Sequence, residues 1–470
     1  MGIFDWLKKP SVTEAKETEK QQEEKKPQAE PENPPAEFVM GVEDTFRLKD
    51  SEDLLVAGRI KGTVCKGAAV YICNPGADHD VITVTTIEGI ETAPGQEAEK
   101  AADCNAGLKV SRGSTIGIRR SSVIFTRNIS GKDVHGAYID ALADSYIMKQ
   151  KLVLSEEELS ILSITDLAEL WRLFGWFHSQ VQKDDTEEAR QETRRRIDIL
   201  ASAMCEKILQ ADEIYCIYSK ATGEPYMFSG TVKQDGGYMC IPPDIRICTK
   251  AYAEVTERSL PENVFELRRI ENGEKKDGIR NFLGSSFYLN GACGVQVLSE
   301  QSSISAEKLV EKPDYSGEQP QNIPVTNPDL ERWILLTGQM GKPEGEDAEL
   351  ILRLYYGFLS KEAVKAKFLI PMQLKGDAPV PDAGGRAVFE KDTTLSFATI
   401  PGKDGRDAVK MFTDWKRLRM AYDEKWSGMV QQIDGMIDTL DCAINVTGHP
   451  QAGCYISKDM FTQMKENAKT

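Results

Sequence analysis

The sequence predicts a multidomain protein: a small all-β barrel, then a helical segment, then two α+β units. Three observations support this fold class. The chain has 470 residues, which is more than one ordinary hydrophobic core uses. Its apolar residues alternate in short runs at first, then recur with helical spacing, and then mix both patterns. Polar stretches containing proline separate these regions at residues 10–37 and 299–328.

The composition is that of a globular, acidic protein. Apolar residues make up 40% and charged residues 28% of the chain, and the net charge is −16. An acidic chain repels phosphate on average, so we expect no bulk nucleic-acid binding. No run approaches the ~20 apolar residues of a membrane span, and no secretory signal is recognisable. We therefore expect a cytoplasmic protein whose 10 cysteines, none in a CxxC pair, are reduced.

Residues 1–37 are predicted to form a disordered tail with a short amphipathic tip. Ile3, Phe4 and Leu7 share one helical face at the tip, beside Trp6. From Pro10 onward the segment is rich in Glu, Lys, Gln and Pro and cannot bury enough surface to order itself. The tip at residues 1–9 is either a docking peptide with at most weak membrane contact or a helix that packs on the body.

Residues 38–129 are predicted to form the barrel. Short apolar runs separated by glycines at Gly58, Gly62 and Gly67 are typical of closely spaced strands. The predicted strands include Leu54–Val56, Ala69–Ile72, Val81–Ile87 and Val123–Phe125.

Residues 145–300 are predicted to form a helical segment followed by an α+β unit. Helical spacing runs from Ser155 to Ala211, and Ser155 with Glu158 fits a capping box. The pattern then indicates strands and one helix, Gly278–Tyr288. The strands are Glu213–Ser219, Pro225–Val232, Tyr238–Ile241, Ile245–Cys248 and Gly294–Leu298.

Residues 301–328 are predicted to be a linker because they are polar and contain four prolines. Residues 329–470 are predicted to form a second α+β unit. Its predicted helices are Gly345–Ser360 and Gly428–Leu440, and its predicted strands are Lys367–Leu374, Thr394–Thr399 and Cys442–Val446.

The barrel region resembles domain 2 of elongation factor Tu and related translational GTPases. The resemblance rests on GRIKGTVCKGAAVYI (Gly58–Ile72), on VTTIEGIETAPGQEAEKAADCNAGLKV (Val84–Val110) and on IRRSSVI (Ile118–Ile124). It implies a binding platform that contacts a ribosome or a translation factor, and the alternative is a spacer barrel that retains no ligand. Arg112, Arg119 and Arg120 give the end of the barrel a local excess of basic charge, so we expect them to form any contact surface. No GxxxxGK[ST] loop occurs, so the chain lacks the phosphate cradle of a GTPase.

The C-terminal unit resembles the bacterial SseB family, named for enhanced serine sensitivity. The resemblance rests on AKFLIPMQL (Ala366–Leu374), on LSFATIPGKDGRDAVKMFTDWKRL (Leu395–Leu418) and on CAINVTGHPQAGCYISKDMFTQM (Cys442–Met464). The family's usual Ile-Asn-Pro is altered here, since Val446 replaces the proline. The run DGIRNFLGSSFYLNGACGVQVL (Asp277–Leu298) suggests that the middle unit is a diverged second copy. The resemblance implies an α+β fold and names no reaction.

The candidate ligand site is the predicted strand-to-helix turn at Phe412, Thr413 and Trp415, together with Asn445. Backbone N–H groups and a hydroxyl at such a turn can bind a small ligand or a peptide end. The alternative is that Thr413 only caps the helix. Cys442, His449 and Cys454 lack a fourth ligand at a usual spacing, so no metal site is predicted. No cofactor and no catalytic residue are predicted.

Three functions remain open from the sequence. The first is a non-catalytic interaction protein of the SseB type that binds a protein partner. The second is a translation-associated or ribosome-associated factor that uses the barrel. The third is an enzyme with an unrecognised site in the SseB-like units, which a titratable residue with a strongly shifted pKa would indicate.

Overall fold

The computed structural model describes residues 37–76, 83–148, 155–181, 186–234, 237–319, 322–375, 394–402 and 405–468. The predicted disordered tail, apart from Glu37, lies outside the described residues, as does its amphipathic tip. The chain divides into two compact units, Met1–Lys207 and Ile208–Thr470. The helical segment was predicted to form one domain with the α+β unit, at residues 145–300. The observed division instead places most of the helical segment in the same unit as the barrel. Within the described ranges, no helix has the length and apolar character needed to cross a bilayer.

Six strands of the first unit close into an antiparallel barrel, as the sequence predicts. The strands of this unit are β1 (Glu37–Gly41), β2 (Asp44–Arg47), β3 (Leu54–Cys65), β4 (Ala69–Cys73), β5 (Thr83–Ala93), β6 (Gln96–Ala98), β7 (Lys100–Ala102), β8 (Asn105–Val110) and β9 (Val123–Phe125). Their order is β1-β9-β4-β5-β8-β3, and β3 pairs with β1 to close the ring. Strands β2, β6 and β7 pair outside this ring.

Alternation along the strands fills the barrel with apolar side chains. In β3, Val56, Ile60 and Val64 are fully buried, whereas Arg59 and Lys61 between and beside them are exposed. Gly62 lies at φ 95°, and a Cβ there would come within 2.2 Å of the Glu37 carbonyl oxygen. The β1–β3 contact that closes the barrel therefore requires glycine at this position.

Helices complete the first unit. They are α1 (Gly113–Ile116), α2 (Gly131–Ala143), α3 (Glu156–Ile161), α4 (Ile164–Trp176) and α5 (Glu187–Gln210), whose last residues enter the second unit. The predicted capping box of Ser155 and Glu158 is confirmed at the start of α3. A second capping box, of Ser163 and Asp166, begins α4. The buried Asp166 carboxylate also accepts hydrogen bonds from the Tyr138 hydroxyl and the Gly76 N–H, which fixes α4 to α2 and to the barrel.

The first half of the second unit is an α+β layer. Its strands are β10 (Glu213–Ser219), β11 (Met227–Phe228), β12 (Thr231–Gln234), β13 (Gly237–Cys240), β14 (Asp244–Cys248), β15 (Phe265–Glu271), β16 (Gly294–Val297) and β17 (Ser303–Ser305). Its helices are α6 (Lys250–Ser259), α7 (Gly278–Tyr288) and α8 (Ala306–Leu309). The sheet order is β15-β10-β14-β16-β17, and β12 and β13 form a separate hairpin.

The second half has the same kinds of element. Its helices are α9 (Pro328–Met340), α10 (Glu346–Lys365), α11 (Trp415–Ala421) and α12 (Lys458–Asn467). Its strands are β18 (Phe368–Lys375), β19 (Thr394–Phe397), β20 (Thr399–Pro401), β21 (Asp407–Met411), β22 (Ser427–Gln431), β23 (Asp441–Ile444) and β24 (Cys454–Ile456). Strand β18 pairs with β22, and a bridge between Leu369 and Phe412 joins this pair to the β20-β21-β23-β24 sheet.

The two halves are structural repeats. The order β15-β10-β14-β16-β17 of the first repeat (residues 213–309) corresponds to β22-β18-β21-β23-β24 of the second repeat (residues 346–467). The central pair, β14–β16 or β21–β23, is parallel in each repeat, and the other neighbours are antiparallel. Leu298 and Asn445 follow the equivalent strands β16 and β23 with φ of 63° and 54°. The two halves of the second unit thus share one strand topology, and the relation of either half to the SseB family stays a prediction.

Two segments of the second unit form a different structure from the one predicted for them, besides elements such as α6 and α9 that were not predicted at all. Residues 428–440 were predicted to be helical, but they form β22 and a short 3₁₀ turn at Ile433–Gly435. The helical spacing of Met429, Ile433 and Ile437 arises because strand and turn cover the same core. Residues 301–328 were predicted to be a linker, but β17 and α8 lie within them. Ile304 and Leu309 are buried there, because β17 extends the sheet beside β16.

Candidate functional site

The predicted ligand residues lie at the predicted strand-to-helix turn, but most of them are buried. Phe412 and Thr413 are 0% exposed and Asn445 is 1% exposed, whereas Trp415 is 37% exposed. The helix cap is Asp414, whose side chain accepts a hydrogen bond from the Arg417 N–H. The alternative that Thr413 caps the helix is therefore wrong by one residue.

Thr413 and Asn445 meet a third residue that the sequence did not indicate, Glu331 on α9. Asn445 Oδ1 accepts a hydrogen bond from the Thr413 N–H at 3.0 Å, and Asn445 Nδ2 donates to Glu331 Oε2 at 2.7 Å. The Thr413 hydroxyl lies 3.1 Å from the same Glu331 oxygen. Helix α9 was not predicted, and Glu331 and Asn445 are 114 residues apart, so no local pattern linked them.

Arg417 connects this group to the first repeat. Its Nη1 donates to Asp414 Oδ2 at 2.6 Å, and its Nη2 donates to Asn290 Oδ1 at 2.9 Å. Nη2 also lies 3.4 Å from Glu224 Oε1, and Asn290 donates to the other oxygen of Glu224 at 2.9 Å. We call this set the junction cluster. Its members are Glu224, Asn290, Glu331, Thr413, Asp414, Arg417 and Asn445.

The junction cluster holds more negative than positive charge. Three carboxylates, of Glu224, Glu331 and Asp414, surround the single guanidinium of Arg417. Burial raises the pKa of Glu331 from 4.5 to about 7, and the nearby Arg417 opposes that rise. Burial lowers the pKa of Arg417, but the carboxylates more than compensate, so its pKa is raised overall. Glu331 Oε1 lies 2.9 Å from Arg417 Nη2, yet its geometry forms no hydrogen bond.

The junction cluster is almost completely buried, and this limits the roles that its residues can have. Its members are at most 7% exposed, and their polar groups bond mainly to one another. This arrangement is that of a buried polar network that fixes how two packed layers meet. Glu331 has the strongly shifted pKa that would favour the enzyme hypothesis, but at 0% exposure it does not face solvent or a substrate.

Among the described residues of the second unit, a group of exposed apolar side chains lies on and beside the β12–β13 hairpin. Val232 pairs with Met239, and the Ile241 N–H donates to the Gly230 carbonyl, so Val232, Met239 and Ile241 share one face. These side chains are 42%, 48% and 44% exposed, and Tyr238 on the other face is 40% exposed. We call the face formed by Val232, Met239 and Ile241 the hairpin surface.

The hairpin is supported from its Cys240 side by α10. Burial raises the pKa of Tyr355, and its side chain lies close to Ser229, Cys240 and Tyr226. The Tyr355 ring lies 5.6 Å from Trp333, which stacks on Phe358 at 4.5 Å. A two-stranded hairpin is marginally stable alone, so this aromatic support holds the hairpin surface in place.

The arginines proposed as a barrel contact surface are mostly engaged with the barrel. Arg119 bonds the Pro75 carbonyl, and Arg120 bonds the Glu43 carbonyl at 3.0 Å. Arg112 is exposed and adopts a left-handed conformation before α1, where its N–H donates to Asp53. The structure therefore leaves Arg112 as the freest side chain of the three.

The cysteines near the C-terminus are structural. Cys442 lies on β23 and Cys454 pairs opposite Ile444 on β24. Burial raises the pKa of both thiols to about 12, so neither is a ready thiolate. His449 instead packs against Gly223. In the ranges that the structure describes, no group of three His, Cys, Asp or Glu residues is arranged to hold a metal ion.

Comparisons with known proteins leave the family open. No protein-family model matches the chain, and no curated protein matches it either. Among solved structures, translation elongation factor SelB from Methanococcus maripaludis, in its apo form, matches with 18% identity and a TM-score of 0.17. The match covers 21% of this chain and 20% of that one, so the chain spans about a fifth of the SelB chain. The SseB resemblance finds no support in these comparisons.

Proposed function

We propose that this protein acts by binding a protein partner, and that the hairpin surface is where the partner docks. The observation that carries the proposal is the apolar face that Val232, Met239 and Ile241, each more than 40% exposed, form on one short hairpin. Contiguous exposed apolar groups on a rigid support are typical of protein interaction sites. We further propose, from the sequence motifs, a cytoplasmic bacterial interaction protein of the SseB type.

A lysine on the hairpin allows the proposed docking to be tested by cross-linking. Lys233 is exposed next to Val232, on the opposite face beside Tyr238, so a long-armed amine-reactive cross-linker on it would reach a docked partner around the edge of the hairpin. We expect wild-type protein to recover a discrete partner from native lysate, with cross-links at Lys233. The double variant Met239→Lys/Ile241→Lys should lose that partner by at least about tenfold.

The matched control is Val84→Lys, which places a lysine at a 51% exposed valine on barrel strand β5. It adds charge without touching the hairpin, so it should retain the partner. Recovery of the same partner by the hairpin variant would contradict the proposed docking surface.

A second candidate function is a translation-associated factor, and the closed six-stranded barrel is the observation that favours it. Arg112 is the residue to test, because Arg119 and Arg120 bond the barrel itself. If this candidate holds, the protein co-sediments with ribosomes in a salt-sensitive manner, and Arg112→Glu weakens that association. If the protein does not co-sediment with ribosomes at low salt, this second candidate function is wrong.

A further inference from the structure

The two repeats place equivalent strands at the edges of their sheets. In the described part of the chain, β15 pairs with β10 alone and β22 with β18 alone. Tyr215 and Leu369 are equivalent, because they pair with Cys248 and Phe412 at the ends of equivalent strands. Arg269 lies opposite Tyr215, and Val430 lies opposite Leu369. Arg269 and Val430 therefore occupy the same edge position.

The edge of the first repeat is guarded by charge. Arg269 forms ion pairs with Glu213 on β10 and with Glu271 on β15. Charged side chains along an exposed edge oppose the addition of another strand. Strand β22 (Ser427–Gln431) contains no charged residue, and Val430 is 50% exposed.

The backbone of β22 directs two residues toward the free edge. The Leu369 N–H and C=O bond Phe412, on the side of β18 away from β22. In an antiparallel pair, hydrogen-bonded and non-hydrogen-bonded positions alternate. Val430 and Gly428, opposite Leu369 and Pro371, are thus non-hydrogen-bonded positions and point their N–H and C=O groups outward. Pro371, which has no N–H, fits this assignment.

We propose that β22 pairs antiparallel with β22 of a second copy of the chain, about a two-fold axis at Met429. In this register Gly428 of each copy faces Val430 of the other. Each of these pairs consists of two outward-pointing residues and can exchange two hydrogen bonds. Centring the axis on Gly428 would instead require Trp426, whose N–H already bonds the Asp423 carbonyl.

Side chains complement this register. The Trp415 ring stands over Gly428, with its Cη2 2.8 Å from where a Cβ would lie. Val430 of the second copy, opposite Gly428 and on the same face, would contact that ring. Strand β22 therefore contains both residues that the proposed pairing needs: Val430, which is bulky, and Gly428, which leaves space beneath the Trp415 ring. A five-residue edge buries less than a standard interface, so the dimer should be weak and concentration-dependent.

The first test is sedimentation velocity of the full-length protein across micromolar concentrations. We expect a monomer–dimer equilibrium that Val430→Lys weakens at least about tenfold, because it installs the kind of charge that guards the first repeat. Val84→Lys is the matched control, since Val84 is 51% exposed on barrel strand β5 and belongs to neither proposed binding surface, and it should leave the equilibrium unchanged. A monomer at all concentrations, or a dimer that Val430→Lys does not weaken, would overturn the proposal.

Hydrogen exchange of the wild-type chain tests the register without relying on a variant. The amides of Gly428 and Val430 should exchange more slowly as concentration rises, whereas the Met429 amide, which faces β18, should not change. Protection of Gly428 and Val430 at every concentration would show that another occupant covers this edge, and would equally overturn pairing with a second copy.

Discussion

At the scale of single residues, Glu331 makes the stability of the second unit depend on pH. Its folded pKa of about 7 exceeds its ordinary 4.5 because the side chain is fully buried. Between pH 4.5 and pH 7 the Glu331 carboxyl is protonated in the folded state and deprotonated in the unfolded state. Its contribution to the free energy of unfolding is therefore fully present below pH 4.5 and is lost as pH rises through 7. This difference between the folded and unfolded pKa values of Glu331 corresponds to a change of about 3 kcal/mol at most in the free energy of unfolding.

The variant Glu331→Gln removes this titration and keeps the shape of the side chain. We expect its urea midpoint, relative to wild type, to rise progressively between pH 5 and 8. Glu318→Gln, at an exposed position, is the control, and its urea midpoint should equal that of wild type at every pH. Parallel pH profiles for wild type and Glu331→Gln would show that Glu331 does not carry the shifted proton.

At the scale of elements, the closure of the barrel depends on the close approach of β1 to β3 at Gly62. Gly62→Ala should lower the thermal midpoint of the first unit, because its Cβ would meet the Glu37 carbonyl oxygen at 2.2 Å in addition to the strain of φ 95°. Gly67→Ala is the matched control, since Gly67 has φ 80° with no atom within 4 Å. Calorimetry of the full chain should show a loss of ~1 kcal/mol for Gly67→Ala and clearly more for Gly62→Ala. Equal losses would mean that β1 and β3 can separate without cost.

Elements with strong local patterns were predictable from the sequence, and elements defined by distant contacts were not. Strand β10 and helix α7 match their predicted bounds, because alternation and helical spacing are continuous there. Strand β22 was mistaken for a helix because its pairing with β18 lies about 60 residues away in sequence. The same limit applies to the site. Thr413 and Asn445 were grouped from the sequence, but Glu331, Asn290 and Glu224 join them only through folding.

At the scale of the whole molecule, the two halves of the second unit, the second of which includes α9, are joined by more than the chain between them. Gln339 on α9 exchanges two hydrogen bonds with the Met227 backbone, at 3.1 and 2.6 Å. Gly291 and Gly223 leave space for Pro328 and His449 of the other half. The junction cluster adds a buried charge network at the same boundary. The connecting residues 311–319, by contrast, are all exposed.

This organisation predicts that the repeats remain associated when the connection is cut. A protease site inserted between Ser316 and Gly317 should cleave readily, and the two fragments should still co-elute on a native sizing column. Arg417→Met in the same chain leaves three buried carboxylates without their guanidinium, a loss worth ~3–5 kcal/mol, so its fragments should separate. Exposed Arg353→Met is the control and should keep them together. If the wild-type fragments separate on cleavage, the connection rather than the junction cluster holds the repeats together.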